Sequence, residues 1–290
     1  MQKRNFLLVL ILFIVSSLKA DVYQEYIDTY SVMAVKQQEE YRIPASITLA
    51  QGLLESSAGR SRLAREGNNH FGIKCHSDWN GDTMLRDDDA PDECFRVYDS
   101  PEESYRDHSK FLRRDRYRPL FDLEITDYQG WAKGLRKCGY ATDPNYADKL
   151  MAIIERYGLY GFDKPGEIEQ TVMFIRETLS AKHRVQKSNG LHYVVAFPGD
   201  TYKSIAKEFQ IKEKKLREFN DALKENGIKE WEEVYLEPKR EYSAGDVAKV
   251  TIGEGENMRS ISQRYGIKLT KLKELNKKAK DKEGTVLKLK

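Results

Sequence analysis

The stretch PASITLAQGLLESSAG, residues 44–59, combines an apolar helical pattern with a single carboxylate, Glu55, near its end. Isoleucine, leucine and alanine recur at helical spacing on most sides of this segment, so the pattern predicts a buried helix. Pro44 suits a first helical turn, and Gly59 suits the left-handed residue that ends a helix. Glu55 is therefore predicted in the last turn, facing the core or a cleft.

A carboxyl group at this position has two interpretations. Burial disfavours the charged form and raises the pKa of a carboxyl group, which is what a general acid needs to hold a proton near neutral pH. A glutamate in the last turn of a helix can equally point to solvent, as most helical glutamates do. The helix by itself favours the solvent-exposed interpretation of Glu55.

Three further motifs follow in order: NNHFGIK at residues 68–74, CFRVY at 94–98 and GYATDPNYA at 139–147. Together with the LLES helix they resemble family 73 of the glycoside hydrolases, the endo-β-N-acetylglucosaminidases that cut peptidoglycan, among them many bacterial autolysins. The resemblance covers about residues 30 to 162. It implies a small lysozyme-like fold, mostly helical with a β-hairpin lobe, cleavage of the GlcNAc-β-1,4-MurNAc bond, and Glu55 as the catalytic acid.

The resemblance also implies residues around the cleft. Tyr140 and Tyr146 look like the family's cleft tyrosines, which can stack on a sugar and orient a water molecule or the acetamido group. We assign Tyr140 a catalytic role and Tyr146 a substrate-binding role, with ordinary packing as the alternative for both. Asn69 and Phe71 are predicted to shape the floor of the cleft, and a structural role is equally open for them. The adjacent His70 is predicted to be a hydrogen-bonded structural residue.

Asp87, Asp88 and Asp89 lie where family members often place a second carboxylate, on the β-lobe. Two carboxylates that flank a glycosidic bond act as acid and nucleophile at close separation, or as acid and base at wider separation. Asp88 is the first candidate for this role, with Asp87 and Asp89 as alternatives. A solvated turn or a calcium-binding loop is the competing interpretation. Relatives frequently have Glu here, and the substrate's own 2-acetamido oxygen can serve as internal nucleophile instead.

The chain has three cysteines. Cys75 and Cys94 bracket a segment with turn signals near residues 80–81, which is typical of a hairpin or an irregular β-lobe. In an oxidising compartment, a disulfide between them would add about 3 kcal/mol to the free energy of unfolding on the chain-entropy model. The pair and His76 are too few ligands for a zinc site, so we expect no metal and no cofactor. Cys138 is predicted to be a buried packing residue.

Residues 1–20 have the layout of a secretory signal peptide. Lys3 and Arg4 precede an apolar run from Phe6 to Val15, which is too short for a comfortable membrane span. Cleavage after Ala20 is predicted, and membrane attachment through an uncleaved signal anchor is the minor alternative. We therefore expect an exported protein, located in the periplasm, at the cell surface or outside the cell. The formal net charge of +3 on 290 residues gives no indication of nucleic-acid binding.

Beyond residue 163 the composition becomes charged and polar, and an internal repeat follows at an offset of 56 residues. Val194 matches Val250, and Asn220 matches Asn276. The sequence pattern of each unit predicts a strand, a glycine turn, two helices and a final strand. This pattern resembles the LysM module, a small βααβ domain that binds N-acetylglucosamine polymers.

The resemblance implies sugar-binding residues in the first unit. Gly199, Asp200 and Thr201 match the family's GDT motif, and Asn220 matches its usual asparagine. The second unit departs from the motif, with Gly-Glu-Asn at residues 255–257. Most apolar residues of so small a unit are needed for its core, so the loops are left to bind the sugar.

The predicted fold class is α+β: a lysozyme-like, mainly helical catalytic domain with a β-hairpin lobe, followed by two small βααβ modules. The predicted segments are a signal peptide (1–20), a glucosaminidase domain (21–163), a partly helical linker (164–190), a first LysM module (191–239), a short linker (240–246) and a second LysM module (247–290).

The predicted function is that of an exported peptidoglycan hydrolase. Its partners would be peptidoglycan glycan strands and other N-acetylglucosamine polymers. Modules on a linker would act by effective concentration, so their loss should matter on whole sacculi and not on short soluble glycans. A muramidase or lytic transglycosylase on the same scaffold, and a non-catalytic wall-binding protein, are the alternatives. The FGIK and GYATDPNYA motifs argue against the first alternative, and Glu55 argues against the second.

Overall fold

A computed structural model describes residues 21–76, 79–87, 92–164, 183–223, 225–244, 247–253 and 255–290. The predicted signal peptide, most of the predicted linker, and both Asp88 and Asp89 lie outside these residues. Within the described part of the chain, no helix is both long and apolar enough to cross a membrane.

Residues 21–164 form a helical domain with one β-hairpin. Its helices are α1 (Val22–Tyr41), α2 (Ala45–Glu55), α3 (Arg62–Gly67), α4 (Pro101–Leu112), α5 (Tyr128–Lys137) and α6 (Tyr146–Arg156), with 3₁₀ helices at Asp115–Asp122 and Leu159–Asp163. The antiparallel hairpin consists of β1 (Thr83–Arg86) and β2 (Glu93–Arg96). The predicted mainly helical domain with a β-hairpin lobe is confirmed.

Helix α2 lies at the centre of this domain. Every residue from Ala45 to Leu53 is buried, because α1, α6 and the 3₁₀ helix at Leu159–Asp163 all pack against it. A Cβ atom at Gly52 would lie 2.5 Å from the Tyr26 hydroxyl, so only glycine allows α1 to approach this closely. The predicted burial of this helix on most sides is therefore correct.

A buried carboxyl group holds the N-terminus of α2. Ser46 donates its backbone N–H and its hydroxyl to the two oxygens of Asp163, at 2.8 and 2.6 Å. These bonds satisfy a backbone donor that the first turn of a helix leaves unpaired. Burial raises the pKa of Asp163 to about 7, although the bonds from Ser46 oppose the shift.

The three cysteines have the predicted pairing. Cys75 and Cys94 form a disulfide with their Cα atoms 5.3 Å apart, which joins the segment before the hairpin to strand β2. Cys138 is the free cysteine, half-buried at the end of α5 and packed against the helical core. Its position agrees with a packing role.

The C-terminal residues form two modules with the predicted repeat. The first consists of β3 (Gln186–Ser188), β4 (Leu191–Val195), α7 (Tyr202–Glu208), α8 (Glu213–Phe219) and β5 (Glu233–Tyr235), and the second of β6 (Lys249–Thr251), α9 (Met258–Arg264), α10 (Leu269–Leu275) and β7 (Val286–Lys288). Corresponding helices begin 56 residues apart, as the sequence repeat requires.

Strand β3 is an addition to the predicted βααβ pattern. It lies within residues 164–190, which the sequence analysis assigned to the linker, and pairs antiparallel with β4. The first module therefore has a three-stranded sheet in the order β3-β4-β5, whereas the second has two strands. The polar composition of β3 explains why it resembles a linker in the sequence.

We expect the wild-type protein to lose stability relative to an Asp163→Asn variant as the pH rises from about 4 to about 7. The folded-state pKa of about 7 lies above the ordinary value of 3.8, so the contribution of this group is fully present below the unfolded-state pKa. It is lost as the pH rises through the folded-state pKa. Urea unfolding of both proteins at several pH values measures the difference, and parallel pH profiles would contradict the prediction.

Candidate active site

The C-terminal end of α2 opens into a cleft of about 590 Å³, and Glu55, the last residue of the helix, lines it half-buried. The helix stops there because Ser57, Ala58 and Gly59 all adopt positive φ angles, of 52°, 54° and 76°. Left-handed conformations are strained for residues other than glycine and are often found at functional sites. The structure thus places Glu55 in the last turn and facing a cleft, as predicted.

Segments that are distant in the sequence form the walls of this cleft. The described segments that line it are the end of α2, the loop after α3, Arg86 of the hairpin, the region from Phe111 to Tyr117, the loop and helix start from Gly139 to Lys149, and four residues of the second module. Tyr140 and Tyr146 lie on the wall beside Glu55.

Tyr146 is bonded directly to Glu55. Its hydroxyl donates to Glu55 Oε1 at 2.8 Å and accepts a hydrogen bond from Gln51 Nε2 at 3.0 Å. Burial, and secondly the charge of Glu55, raise the pKa of the Tyr146 hydroxyl well above its usual range. Tyr146 therefore remains protonated at neutral pH and serves as a hydrogen-bond donor that orients the Glu55 carboxyl group.

Tyr140 stacks on Tyr146, with the ring centroids 5.6 Å apart and the ring planes 26° apart. Its hydroxyl lies 3.5 Å from the carbonyl oxygen of Phe71, which is long for a hydrogen bond. Burial, and secondly Glu55, raise the pKa of the Tyr140 hydroxyl well above its usual range. The two tyrosines thus form a stacked pair with protonated hydroxyls beside the carboxyl group, in which Tyr140 is the more exposed ring.

The floor of the cleft rests on a histidine that the sequence analysis did not single out. Phe71 lines the cleft, and its ring stacks on His108 with centroids 3.9 Å apart. His108 is fully buried, and burial lowers its pKa to about 3, so it is neutral. Its spacing on α4 would have indicated only a core position, because the partner ring comes from a different segment.

Asn69 and His70 have structural positions. The Asn69 side chain donates to the carbonyl oxygens of Ile73 and Arg96 and accepts from the Ile73 N–H, which orders the loop behind the cleft. His70 Nδ1 lies 2.9 Å from the Tyr26 hydroxyl, and burial lowers its pKa to about 4. The structural alternative for Asn69 is therefore the one that the geometry supports.

Asp87, the first of the three candidate aspartates, directly follows strand β1. Asp87 Oδ1 accepts a hydrogen bond from the Asp92 N–H at 2.7 Å, which connects the two ends of the hairpin loop. That contact is typical of a carboxylate that stabilises a turn. Asp88 and Asp89 lie outside the described residues, so their assignment stays a prediction.

Two further carboxylates line the cleft within the described residues, and both are paired with cations. Asp143 lies 2.9 Å from Lys149 Nζ, and Glu256 is paired with the Arg264 guanidinium. Burial alone would raise the pKa of Asp143, but Lys149 and Arg264 outweigh it and hold that pKa below its usual range. Asp143 is thus ionised and neutralised by its neighbours, which fits an ion pair and not a proton donor.

The GDT motif of the first module has mainly local structural contacts. Asp200 accepts hydrogen bonds from the Phe197 N–H and from Ser204 Oγ, and Thr201 caps helix α7. Gly199 has a φ of 86°, which favours glycine in this turn. Gly199 and Thr201 are exposed and remain candidates for sugar binding, whereas the Asp200 side chain is engaged within the module.

The side chain of Asn220 is engaged within the first module. The residue is fully buried, and its side chain bonds the Leu216 carbonyl and both backbone groups of Tyr235. Asn276 makes the equivalent bonds to Leu272 and Lys288 in the second module. This asparagine joins the second helix of each module to its last strand, which supports a structural role, and its predicted part in sugar binding stays a prediction.

Two family models match separate parts of this chain. Residues 31–159 match the glucosaminidase family model, described as mannosyl-glycoprotein endo-beta-N-acetylglucosaminidase. Residues 194–230 and 250–290 match the LysM domain.

Similar proteins come from several bacteria. The chain is 38% identical over 156 residues to the exo-glucosaminidase LytG of Bacillus subtilis. This alignment covers 50% of this chain and 55% of that protein. The chain is 25% identical over 263 residues to an autolysin of Enterococcus faecalis, covering 80% of this chain and 35% of that protein. The catalytic domain of the autolysin Auto from Listeria monocytogenes aligns with a TM-score of 0.44 and 29% identity, over 49% of this chain and 88% of that domain.

The chain spans about half the length, or less, of these curated relatives. The two family matches lie on the helical domain and on the two repeated modules that the structure describes. The chain therefore combines a glucosaminidase domain of glycoside hydrolase family 73 with two LysM modules.

Proposed function

We propose that this protein is an exported peptidoglycan hydrolase that cleaves the GlcNAc-β-1,4-MurNAc bond with Glu55 as general acid. The observation that carries this proposal is the 2.8 Å hydrogen bond between Tyr146 and Glu55, located in the cleft of a family 73 domain. Hydrolysis of a glycosidic bond requires a proton on the leaving oxygen, and a carboxyl group held in a fixed direction supplies it.

The contacts around Glu55 support this role. Gln51 and Glu55 lie one helical turn apart on the rigid α2, and both bond to the Tyr146 hydroxyl. This arrangement fixes one carboxyl oxygen and thereby the direction of the other. Catalytic groups on packed helices are positioned more accurately than groups on loops, because their rotamers are restricted by neighbours.

Tyr140 and Tyr146 are proposed to receive the sugar. Aromatic faces bind the apolar face of a sugar ring. The Tyr140 hydroxyl, whose contact to the Phe71 carbonyl oxygen is long, has a proton to donate to an acetamido oxygen, whereas the Tyr146 hydroxyl donates its proton to Glu55. The stacked pair lies directly beside the acid. This placement supports a role in orienting the acetamido group near the bond that breaks.

The second catalytic group has two candidates. Asp88, with Asp87 and Asp89 as alternatives, would activate water or attack the sugar from the β-lobe, and the acetamido oxygen of the substrate would replace such a residue in a substrate-assisted reaction. The bond from Asp92 to Asp87 favours a turn role for Asp87. Individual substitutions of the three aspartates decide between the two candidates.

We further propose that the LysM modules bind glycan strands and that residues 1–20 direct export. The family match of both modules and the exposed Gly199 and Thr201 support glycan binding. The basic start and apolar run of residues 1–20 support export. LytG is named an exo-glucosaminidase, whereas the family model is described as an endo-enzyme. The lengths of the released products will show whether this protein cuts at the ends of glycan strands or within them.

We expect Glu55→Gln to abolish hydrolysis while leaving binding to sacculi intact. Glutamine keeps the shape and the bond from Tyr146 but cannot donate a carboxyl proton, so turnover should fall by about 10²–10⁴-fold or more. A zymogram and a sacculus pull-down of the full chain measure the two properties. An active variant that clears the gel like wild type would disprove the assignment of Glu55.

The products should carry reducing-end GlcNAc. Mass spectrometry of digested peptidoglycan separates this result from reducing-end MurNAc, which a muramidase produces, and from anhydro-MurNAc, which a lytic transglycosylase produces. Borohydride reduction of the released fragments, before any further digestion, labels the reducing end that this protein has produced. Either MurNAc product would contradict the proposed bond, even if Glu55 proved essential.

The aspartates should be replaced by asparagine one at a time. If Asp88 is the second carboxylate, Asp88→Asn should reduce turnover by about 10²–10⁴-fold, and Asp87→Asn should have little effect on kcat because Asp87 bonds within the loop. Less than about tenfold loss in all three variants would favour substrate assistance. A thioamide analogue of the substrate then tests the acetamido oxygen directly.

A further inference from the structure

The LysM modules are packed against the helical domain. Trp231 of the first module contacts Tyr23 of α1 edge-on, with ring centroids 5.3 Å apart. Tyr193 donates a hydrogen bond to Asp148 of α6 at 2.7 Å, and both Tyr193 and Trp231 are buried. An interface with buried aromatic rings and a direct hydrogen bond between the module and α6 differs from the loose attachment that a linker alone would give.

The interface continues to the segment that carries Tyr146. Lys149 Nζ lies 2.9 Å from Asp143 and 2.8 Å from Glu233 of the first module, and the Glu233 side chain is only 3% exposed. Asn145 donates hydrogen bonds to Glu233 Oε1 at 3.2 Å and to the Arg264 carbonyl of the second module at 3.0 Å. Both modules thus hold the segment whose next residue, Tyr146, bonds to Glu55.

The second module also lines the cleft. Thr251 and Gly253 at the end of β6, together with Glu256 and Arg264, line the same space as Glu55. The Arg264 guanidinium is paired with Glu256 and lies near enough to Asp143 to lower its pKa. This wall contains the half-buried Arg264 guanidinium and Glu256 carboxylate, and the Thr251 side chain, which is 9% exposed. These hydrogen-bonding groups suit the hydroxyl, acetamido and carboxyl groups of a glycan.

We propose that the second LysM module forms one wall of the catalytic cleft and that Arg264 and Thr251 contact the same glycan strand that is cut at Glu55. This inference rests on the proposed function. Because Glu55 and the second module line the same cleft, a glycan strand bound there would lie against both of them. The module then contributes binding energy within the active site, in addition to any tethering to the wall.

A composite cleft makes a prediction opposite to that of a tether. A tethered module raises the local concentration of an insoluble substrate and leaves short soluble glycans unaffected. A module that lines the cleft affects KM on soluble glycans as well, because its contacts are made by the strand that is being cut. Soluble substrates therefore distinguish the two arrangements.

The test uses the full chain and a soluble peptidoglycan octasaccharide. Arg264→Gln removes the guanidinium, and Thr251→Trp places a large ring in the cleft. The matched controls lie in the same module but away from the cleft: Lys273→Gln removes an exposed charge, and Thr270→Trp adds the same ring at an exposed position of α10. Thermal unfolding of each variant establishes that it is folded at the assay temperature.

We expect both cleft variants to raise KM by about tenfold with kcat within about twofold of wild type. In Arg264→Gln, a lost hydrogen bond to a charged group reduces binding by this order. In Thr251→Trp, the added ring obstructs the glycan. The controls should retain wild-type values. KM values within twofold of wild type for both cleft variants would overturn the proposal. A fall in kcat at unchanged KM would also overturn it, since Arg264 would then position Tyr146 and not bind the glycan.

Binding measured without turnover separates this inference from the proposed function. In a Glu55→Gln background, titration calorimetry with the octasaccharide gives Kd for each variant. If the wild-type chain cuts no glycan, the proposed function fails, yet a tenfold weaker Kd on adding Arg264→Gln would still support the composite cleft. Equal Kd values with and without Arg264→Gln would reject it. If Thr251→Trp lowers the melting temperature, the Kd of Arg264→Gln, measured at a temperature at which that variant is folded, decides between the two outcomes.

Discussion

The burial of α2 is the constraint on which the rest of the helical domain depends. Since α1, α6 and a 3₁₀ helix cover it on nearly every side, the helix reaches the cleft only through its C-terminal end. Glu55 occupies that end, and Tyr146 begins the helix α6 that packs alongside. The hydrogen bond between the two side chains is therefore set by the packing of two helices, which restricts both groups more than a loop would.

Buried ions connect the first module to the helical domain. Lys149 lies between Asp143 and Glu233, and burial would favour its neutral form, but the two carboxylates outweigh that effect and raise its pKa. A buried ion pair contributes little net free energy, yet leaving one member unpaired costs about 3–5 kcal/mol. If the modules packed in a different position and these groups stayed buried, at least one ion would be unpaired and the free energy would rise by this amount. The network therefore favours one position of the modules relative to the cleft.

The repeated modules show how one motif can have structural and binding interpretations at once. Thr201 and Asn257 both cap the first helix of their modules, and Asp200 and Glu256 both accept a backbone N–H of the preceding turn. The second module has Gly-Glu-Asn in place of the GDT motif but retains these contacts. The fold therefore requires a capping residue and an acceptor at these positions, whatever sugar contacts the loop also makes, and Asn220 is likewise explained by its backbone bonds.

The sequence by itself determined the features that depend on local pattern: the buried helix with Glu55 in its last turn, the two modules at a spacing of 56 residues, and the pairing of Cys75 with Cys94. Periodicity, turn residues and paired cysteines are properties of short segments, so they can be read without the fold. Only the tertiary structure decided that His108 supports the cleft and that Arg264 reaches it. Those contacts join segments far apart in the chain, where polar residues carry no periodic signal and their partners are set by the docking of whole domains.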